Sequence, residues 1–301
     1  MKLKSLFLKY TPIKPYKRTE PFRMSAIGEV LCPEEIKKGF SDFTHMTTYR
    51  FNKNVIRFFH EDEDCDVKVH HIARFLSGIQ TKPVVADIFF TPYKKFYPEN
   101  RIFGWPHLNS GYYKDSRIVI FRREEWFKVF IHECMHYFHF EHALDQVYPE
   151  ILTLFHKSNV DIFETYCELC ARNLHCAYLS SITHIPESCI YEIERNHSIQ
   201  LMVDVLHHMK LEYNDLFNPH EYKEDTNIFA YVVLTAILMF SRYKPHYDPT
   251  TKFELKSDRE FVDAILKGAK DSEFFKDVHA REPSALTTMT KLSLDEFISH
   301  L

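Results

Sequence analysis

The chain has 301 residues, of which 45% are hydrophobic and 27% charged, and its formal net charge is −4. These values are typical of a soluble globular protein with one or two domains, and the negative charge argues against a nucleic-acid partner. The most apolar segment, residues 228–240, is too short to cross a bilayer as a helix, so no membrane span is expected. Seven cysteines without regular spacing favour a reduced, intracellular, cytoplasmic protein.

Residues 1–25 are basic and contain three prolines, so an extended arm is expected there. A short helix is predicted to begin at Pro33 and a second to span residues 67–79. Strands are predicted near residues 55–59, 84–90, 108–113 and 117–121. A long helix is predicted over residues 124–144, and further helices near residues 149–157, 160–180, 188–210, 226–243, 258–270 and 294–300. The predicted class is α+β, with a strand-rich subdomain at 26–123 and a helical one at 124–301.

The segment His132-Glu133-Cys134-Met135-His136 is an H-E-x-x-H motif within the predicted long helix. At 3.6 residues per turn, His132 and His136 fall about 40° apart on one face, so both imidazoles can reach one ion. Glu133 lies where its carboxylate can take a proton from water activated by that ion. The motif therefore predicts one catalytic zinc ion, with Glu133 as the general base.

Two residues compete for the third ligand position that a catalytic zinc ion usually has. Glu164 can return on a later helix, and Glu168, one turn beyond it, can accept the free N–H of a ligand histidine. His142 completes a spacing found in metzincins, although His139 stands where that class has a glycine that allows a sharp turn. Neither Gly nor Pro interrupts residues 124–146, so a continuous helix is expected. Such a helix would point His142 away from the ion. It would leave His139 on the metal face, where it either supports a ligand or lines the cleft, or else is a packed core histidine.

The H-E-x-x-H helix with a later glutamate resembles the gluzincin class of zinc metallopeptidases. Glu164-x-x-x-Glu168 is similar to that class's E-x-x-x-D pattern. Together with Asn109-Ser110-Gly111 and residues 118–126, these motifs more closely resemble uncharacterised metallopeptidase-like proteins of large DNA viruses, over about residues 105–240. The resemblance implies a zincin-like fold with the motif helix between its subdomains, and hydrolysis of a peptide or protein substrate. A viral origin would imply a location in the host cell or the virion.

The resemblance also suggests residues for the rest of the cleft. Gluzincins use a Tyr, His or Arg of the helical subdomain to stabilise the oxyanion, and Tyr231 is the first candidate, with core packing as the alternative. Asn109 and Gly111 fall in the predicted edge strand, where a substrate can pair, or in a plain turn. A catalytically inactive zincin-fold protein with a binding or structural role, for example in a virion, is the second hypothesis. The intact Glu133 favours the peptidase.

Overall fold

The structure is a computed structural model that describes residues 3–27, 29–139, 148–157, 160–218, 222–247 and 258–295. It is α+β, with a mixed sheet and about half of it helical, so the predicted class is confirmed at this level. The strands are β1 (Tyr16–Pro21), β2 (His45–Phe51), β3 (Asn54–His60), β4 (Val85–Phe89), β5 (Phe103–Gly104), β6 (Gly111–Lys114), β7 (Arg117–Ile120) and β8 (Glu224–Asp225). The α-helices are α1 (Glu34–Lys38), α2 (Asp66–Ile79), α3 (Trp105–Leu108), α4 (Trp126–Phe138), α5 (Pro149–Leu154), α6 (Ile162–Thr183), α7 (Glu187–His208), α8 (Thr235–Phe240), α9 (Asp258–Ala269) and α10 (Ser272–His279).

Six strands form one sheet in the order β1-β2-β3-β4-β7-β6. The β2–β3 hairpin turns at Asn52 and Lys53, and the β6–β7 hairpin at Asp115 and Ser116; all four residues have positive φ. Two-residue turns of this kind match the twist of the paired strands. Helix α2 connects β3 to β4, which run parallel. Since β6 ends the strand order, one of its edges carries no strand from the described part of the chain.

Apolar side chains cover both faces of the sheet. The larger core joins one face to α2, α4 and α6. The smaller core, on the other face, contains the ring of Phe40 at 4.6 Å from that of Phe89, which stacks at 4.2 Å on Phe59. Helix α4 therefore lies between the sheet and the helices that follow it, and its side chains are almost all buried.

The first 25 residues, expected to be an extended arm, are packed against the rest of the molecule. Strand β1 pairs with β2 along its whole length. A 3₁₀ helix at Leu3–Leu6 precedes Phe7, whose ring is buried 5.6 Å from Phe75 and 5.4 Å from Tyr178. Burial of the Phe7 ring holds this segment against the molecule, because an extended arm would expose the apolar surface of the ring to water.

The helical segments predicted after the motif differ from the structure mainly at their ends. Residues 226–243, predicted as one helix, divide into a π-helix at Phe229–Leu234 and α8. The helix predicted at 294–300 lies largely outside the described residues. No helix in the described ranges has the length and apolar character needed to span a bilayer.

Candidate metal centre and cleft

Helix α4 carries both motif histidines on one side. Lys128, His132 and His136 recur every four residues, so they form a single stripe on a helix that is otherwise mostly apolar. This stripe faces α6, which packs closely against α4. The N-terminal turn of α6 thereby comes beside the two imidazoles.

The first turn of α6 holds Glu164. Asp161 caps this helix, because its side chain accepts a hydrogen bond from the Glu164 backbone N–H at 3.2 Å. Glu164 is thus fixed at the third helical position, where the helix dipole favours a carboxylate. Glu164 is 28 residues after His136 in the sequence. The Asp161 cap fixes where α6 begins, and the first turn of α6 places Glu164 beside the motif.

The three side chains meet at one point. Nε2 of His132 and Nε2 of His136 lie 3.1 Å apart, and each lies 3.3 Å from Oε2 of Glu164. These residues form a group that could hold a metal ion. Ligand atoms about 2.0–2.1 Å from a tetrahedral zinc ion would be separated by about 3.3–3.4 Å. The observed spacing fits a zinc ion, and Oε2 of Glu164 is buried without a hydrogen bond to any described residue.

The opposite nitrogen of the His132 ring faces Glu168. Nδ1 lies 3.1 Å from Oε2 of Glu168, so an Nδ1–H donor leaves the Nε2 lone pair free to bind a metal ion. Nδ1 of His136 lies 3.7 Å from Sγ of Cys167. Glu168 thus lies where the sequence predicted it, behind His132, a candidate ligand.

Glu168 is at the centre of a buried ionic network. Lys128 donates to its Oε2, and Nε of Arg172 donates to its Oε1 at 2.8 Å. Arg172 also donates to the hydroxyl of Ser198. All three charged side chains of the network are almost wholly buried. Two cations therefore compensate one carboxylate, which holds it rigidly against His132.

The carboxylates control the protonation of the histidines. Burial favours neutral His132, but the interactions with Glu164 and Glu168 outweigh burial and raise its pKa to about 10. The pKa of His136 is also raised, against burial, by Glu164. For Glu164, burial is outweighed by the two imidazoles, which lower its pKa. The site thus favours positive charge between these three side chains, a place that a divalent cation can take in exchange for protons.

Glu133 lines a cavity of about 280 Å³, and the three candidate ligands line the same cavity. Its side chain is 7% exposed, and burial raises its pKa although both motif histidines oppose the shift. A carboxylate whose pKa is raised toward neutrality is a better proton acceptor and donor in catalysis. Glu133 therefore lines the same cavity as the three candidate ligands, with a pKa that burial raises.

Tyr231 lines the same cavity from the helical side. Its ring centroid lies 6.0 Å from that of His132, and it belongs to the π-helix Phe229–Leu234. π-helical turns are frequent at functional sites. Burial, followed by nearby carboxylates such as Glu164, raises the pKa of the phenol, so the hydroxyl keeps its proton as a donor. The carboxylate of Glu224 accepts a hydrogen bond from the N–H of Phe229, the first residue of this π-helix, at 2.8 Å.

Asn109 and Gly111 border the cavity on the sheet side. Asn109 precedes β6: its backbone carbonyl accepts from buried Arg122 at 3.1 Å, and its side-chain oxygen from Thr226 at 3.1 Å. Gly111 begins β6, and a Cβ there would lie 2.9 Å from Val129 of α4, so glycine permits this close approach. The predicted edge strand is present but begins later than residue 108, because Trp105–Leu108 is helical.

The expected continuous helix over residues 124–144 is wrong at both ends. Glu125 (φ 58°) precedes the first helical residue, and α4 stops at Phe138 because His139 adopts φ 57° and ψ 45°. The His139 N–H donates to the carbonyl of His136 at 3.0 Å, which closes the last turn. His139 lines the cavity, but not as a member of the metal-binding group. A sharp turn is thus present at His139 without the glycine that metzincins have there, while His142 lies outside the described residues.

Three contributors to this region were not identified from the sequence. Lys128 and Arg172 hold Glu168, and Met289, from the segment after α10, helps to line a cavity of about 50 Å³ beside His132. A lysine one turn before His132 on an apolar helix, and an arginine one turn after Glu168, were the available signals. Met289 gave none, because only the tertiary fold brings it to the cleft.

No family model matches this chain, and no curated protein or solved structure matches it either. The resemblance to gluzincins therefore remains a prediction from the motifs.

Proposed function

We propose that this protein is a gluzincin-like zinc metallopeptidase, with His132, His136 and Glu164 as zinc ligands and Glu133 as the general base. The observation that carries the proposal is the triangle of ligand atoms with edges of 3.1, 3.3 and 3.3 Å. Two imidazoles and one carboxylate form a ligand set used by catalytic zinc, with a position left for water or substrate. The raised pKa of Glu133 beside that triangle supports hydrolysis rather than a purely structural metal site.

When bound, the zinc ion would supply a Lewis acid that activates water and polarises the substrate carbonyl. Glu133 accepts a proton from the attacking water, whose oxygen bonds to the carbonyl carbon. The C–N bond then breaks, and Glu133 returns the proton to the leaving amine. The products are a carboxylic acid, which then releases its proton to water, and an amine. Glu168 acts only through His132, by fixing the ring and its tautomer.

Tyr231 is proposed to donate a hydrogen bond to the carbonyl oxygen as negative charge develops there. Its hydroxyl remains protonated because burial and the nearby carboxylates raise its pKa. A donor that is already oriented in a partly buried cleft lowers the energy of the charged transition state. Its position across the cavity from Gly111 would leave room for an extended peptide between the helical side and the sheet side.

The experiment compares wild-type protein with Glu133→Gln, both loaded with zinc and purified identically. Zinc content is measured by mass spectrometry, and cleavage with a mixture of fluorogenic peptides. The proposal predicts one zinc ion per chain in both proteins and hydrolysis by the wild type alone. Equal cleavage by both would indicate a contaminating protease or another base. Zinc binding without cleavage by the wild type would favour the inactive zincin-fold alternative.

A further inference from the structure

An apolar pocket borders the same strand as the metal cavity. It is an open concavity of about 440 Å³, and its lining includes Leu31, Trp105, Tyr112 and Phe121. Leu31 is 41% exposed and Trp105 42% exposed, although both are large apolar side chains. Exposed apolar residues that gather around one concavity mark a binding surface more often than isolated ones do. Asn109, Gly111, Tyr112 and Tyr113 border both cavities, so the two cavities adjoin the same strand, β6.

The hydrogen bonding of β6 shows which backbone groups face its open edge. The Phe121 N–H donates to the carbonyl of Ser110 at 2.9 Å, and Gly111 is paired with Ile120. In an antiparallel pair, hydrogen-bonded and non-hydrogen-bonded positions alternate. The backbone groups of Gly111 and Tyr113 therefore point away from β7. An extended peptide can pair with them as an additional strand.

Side chains on an added strand would alternate between two environments. Tyr113 faces the α4 side, since its ring lies 5.3 Å from Tyr137 and 6.2 Å from His139. Tyr112 faces the smaller core, and its hydroxyl accepts from the Leu31 N–H at 3.0 Å. Successive residues of the peptide would likewise face first the metal cavity and then the apolar pocket.

We propose that this pocket binds a bulky apolar side chain, aromatic or branched aliphatic, of an extended peptide substrate. The inference rests on the proposed peptidase function and adds a preference to it. The occupant is a substrate residue because the pocket and the metal cavity both border the open edge of β6, where one extended peptide can reach both. The charged side chain among the lining residues is Lys114, which disfavours a basic residue at that substrate position.

The test uses ten-residue peptides of Gly, Ala and Ser in which one Phe is moved through successive positions. With zinc-loaded wild-type protein, the cleaved bond should lie at a fixed distance from Phe and move with it. The kcat/KM should exceed that of the Phe-free peptide roughly tenfold, a typical contribution of one apolar subsite. Leu31→Ser and Trp105→Ala should remove most of this advantage. Ile193→Ser, at an exposed site (43%) on α7, is the matched control and should retain it.

A binding measurement separates failure of the pocket from failure of hydrolysis. Of the two tryptophans, Trp126 is 2% exposed, so acrylamide quenching reports mainly on Trp105. In zinc-loaded Glu133→Gln, the Phe peptide should protect Trp105 from quenching. Protection without wild-type cleavage would support the pocket and reject the peptidase. Cleavage without protection, or a Phe preference that survives both substitutions, would overturn the pocket. Trp105 could also be protected in concentrated protein without peptide, through a dimer that Leu31→Ser abolishes. That result would assign the pocket to self-association and would also overturn the proposal.

Discussion

Nδ1 of His132 lies 3.1 Å from Oε2 of Glu168, while Nε2 of the same ring faces Glu164 at 3.3 Å. One imidazole therefore joins the candidate metal site to a buried ionic network. The far side of that network contains Lys128 and Arg172, both within hydrogen-bonding distance of Glu168. A change at Glu168 should consequently affect both metal binding and folding.

Glu168→Gln should lower zinc affinity about 10- to 100-fold, because His132 loses its charged acceptor. It should also lower the free energy of unfolding of the metal-free protein by about 3–5 kcal/mol, since Lys128 and Arg172 would be buried without a carboxylate. Zinc titration and urea denaturation measure the two effects. Glu164→Gln is the control: it should weaken zinc binding with a much smaller loss of stability. Wild-type zinc affinity in Glu168→Gln would contradict the assigned role.

Tyr231→Phe should reduce kcat by about 10²- to 10³-fold, because one oriented donor to the oxyanion is removed. Zinc affinity should not change, since the phenol is not a ligand in the proposed site. Tyr113→Phe is a matched control, because it removes a hydroxyl from the same cavity. Steady-state kinetics on one peptide compare the three proteins. If Tyr231→Phe and Tyr113→Phe have the same kcat, Tyr231 does not stabilise the oxyanion.

His139→Gly should be more stable than His139→Ala by about 1 kcal/mol. Both variants lack the imidazole, and they differ in how readily each residue adopts the left-handed conformation observed at φ 57°. Thermal or urea unfolding of the metal-free variants gives the difference. Zinc affinity should be the same in both variants and in the wild type. A marked loss in both would show that His139 supports the metal site after all.

The stability of the metal-free protein should fall as the pH decreases from about 6.5 to 4. Burial, followed by the charge of Arg74, lowers the pKa of His71 to about 4, and its Nδ1 lies 2.6 Å from the Tyr178 hydroxyl. The unfolded chain takes up a proton near pH 6.5 that the folded chain does not, so acid favours unfolding by up to about 3 kcal/mol. His71→Gln should flatten this part of the curve of unfolding free energy against pH. If the curves for the wild type and His71→Gln are parallel between about pH 6.5 and 4, the pKa of His71 is not lowered in the folded protein.

Local pattern was sufficient to predict which residues the structure brings together at the candidate metal centre. The spacing of His132 and His136 follows from helical geometry, and Glu164 and Glu168 are four apart on a helix that begins at a capping Asp161. The strands near 55–59, 84–90 and 117–121 were recognisable from β-branched and aromatic residues. In each case the signal and the structure it predicts lie within a few residues of one another.

The features that were missed depend on tertiary contacts. Strand β1 exists because it pairs with β2, and its own sequence contains charged residues and a proline. The end of α4 at His139 lacks the usual glycine, so its sequence gave no signal for the turn. Lys128 and Arg172 can be recognised as partners of one carboxylate only when α4 and α6 are packed together.

X-ray absorption at the zinc edge tests the proposed ligand set most directly. In the zinc-loaded wild type, we expect two imidazoles and at least one carboxylate oxygen at about 2.0–2.1 Å, with no sulfur near 2.3 Å. Glu164→Ala should bind zinc much more weakly and change the spectrum. Three outcomes would contradict the site proposed for this protein. They are a third imidazole, which would indicate His142; a sulfur ligand, which would indicate Cys167; and an unchanged spectrum in Glu164→Ala.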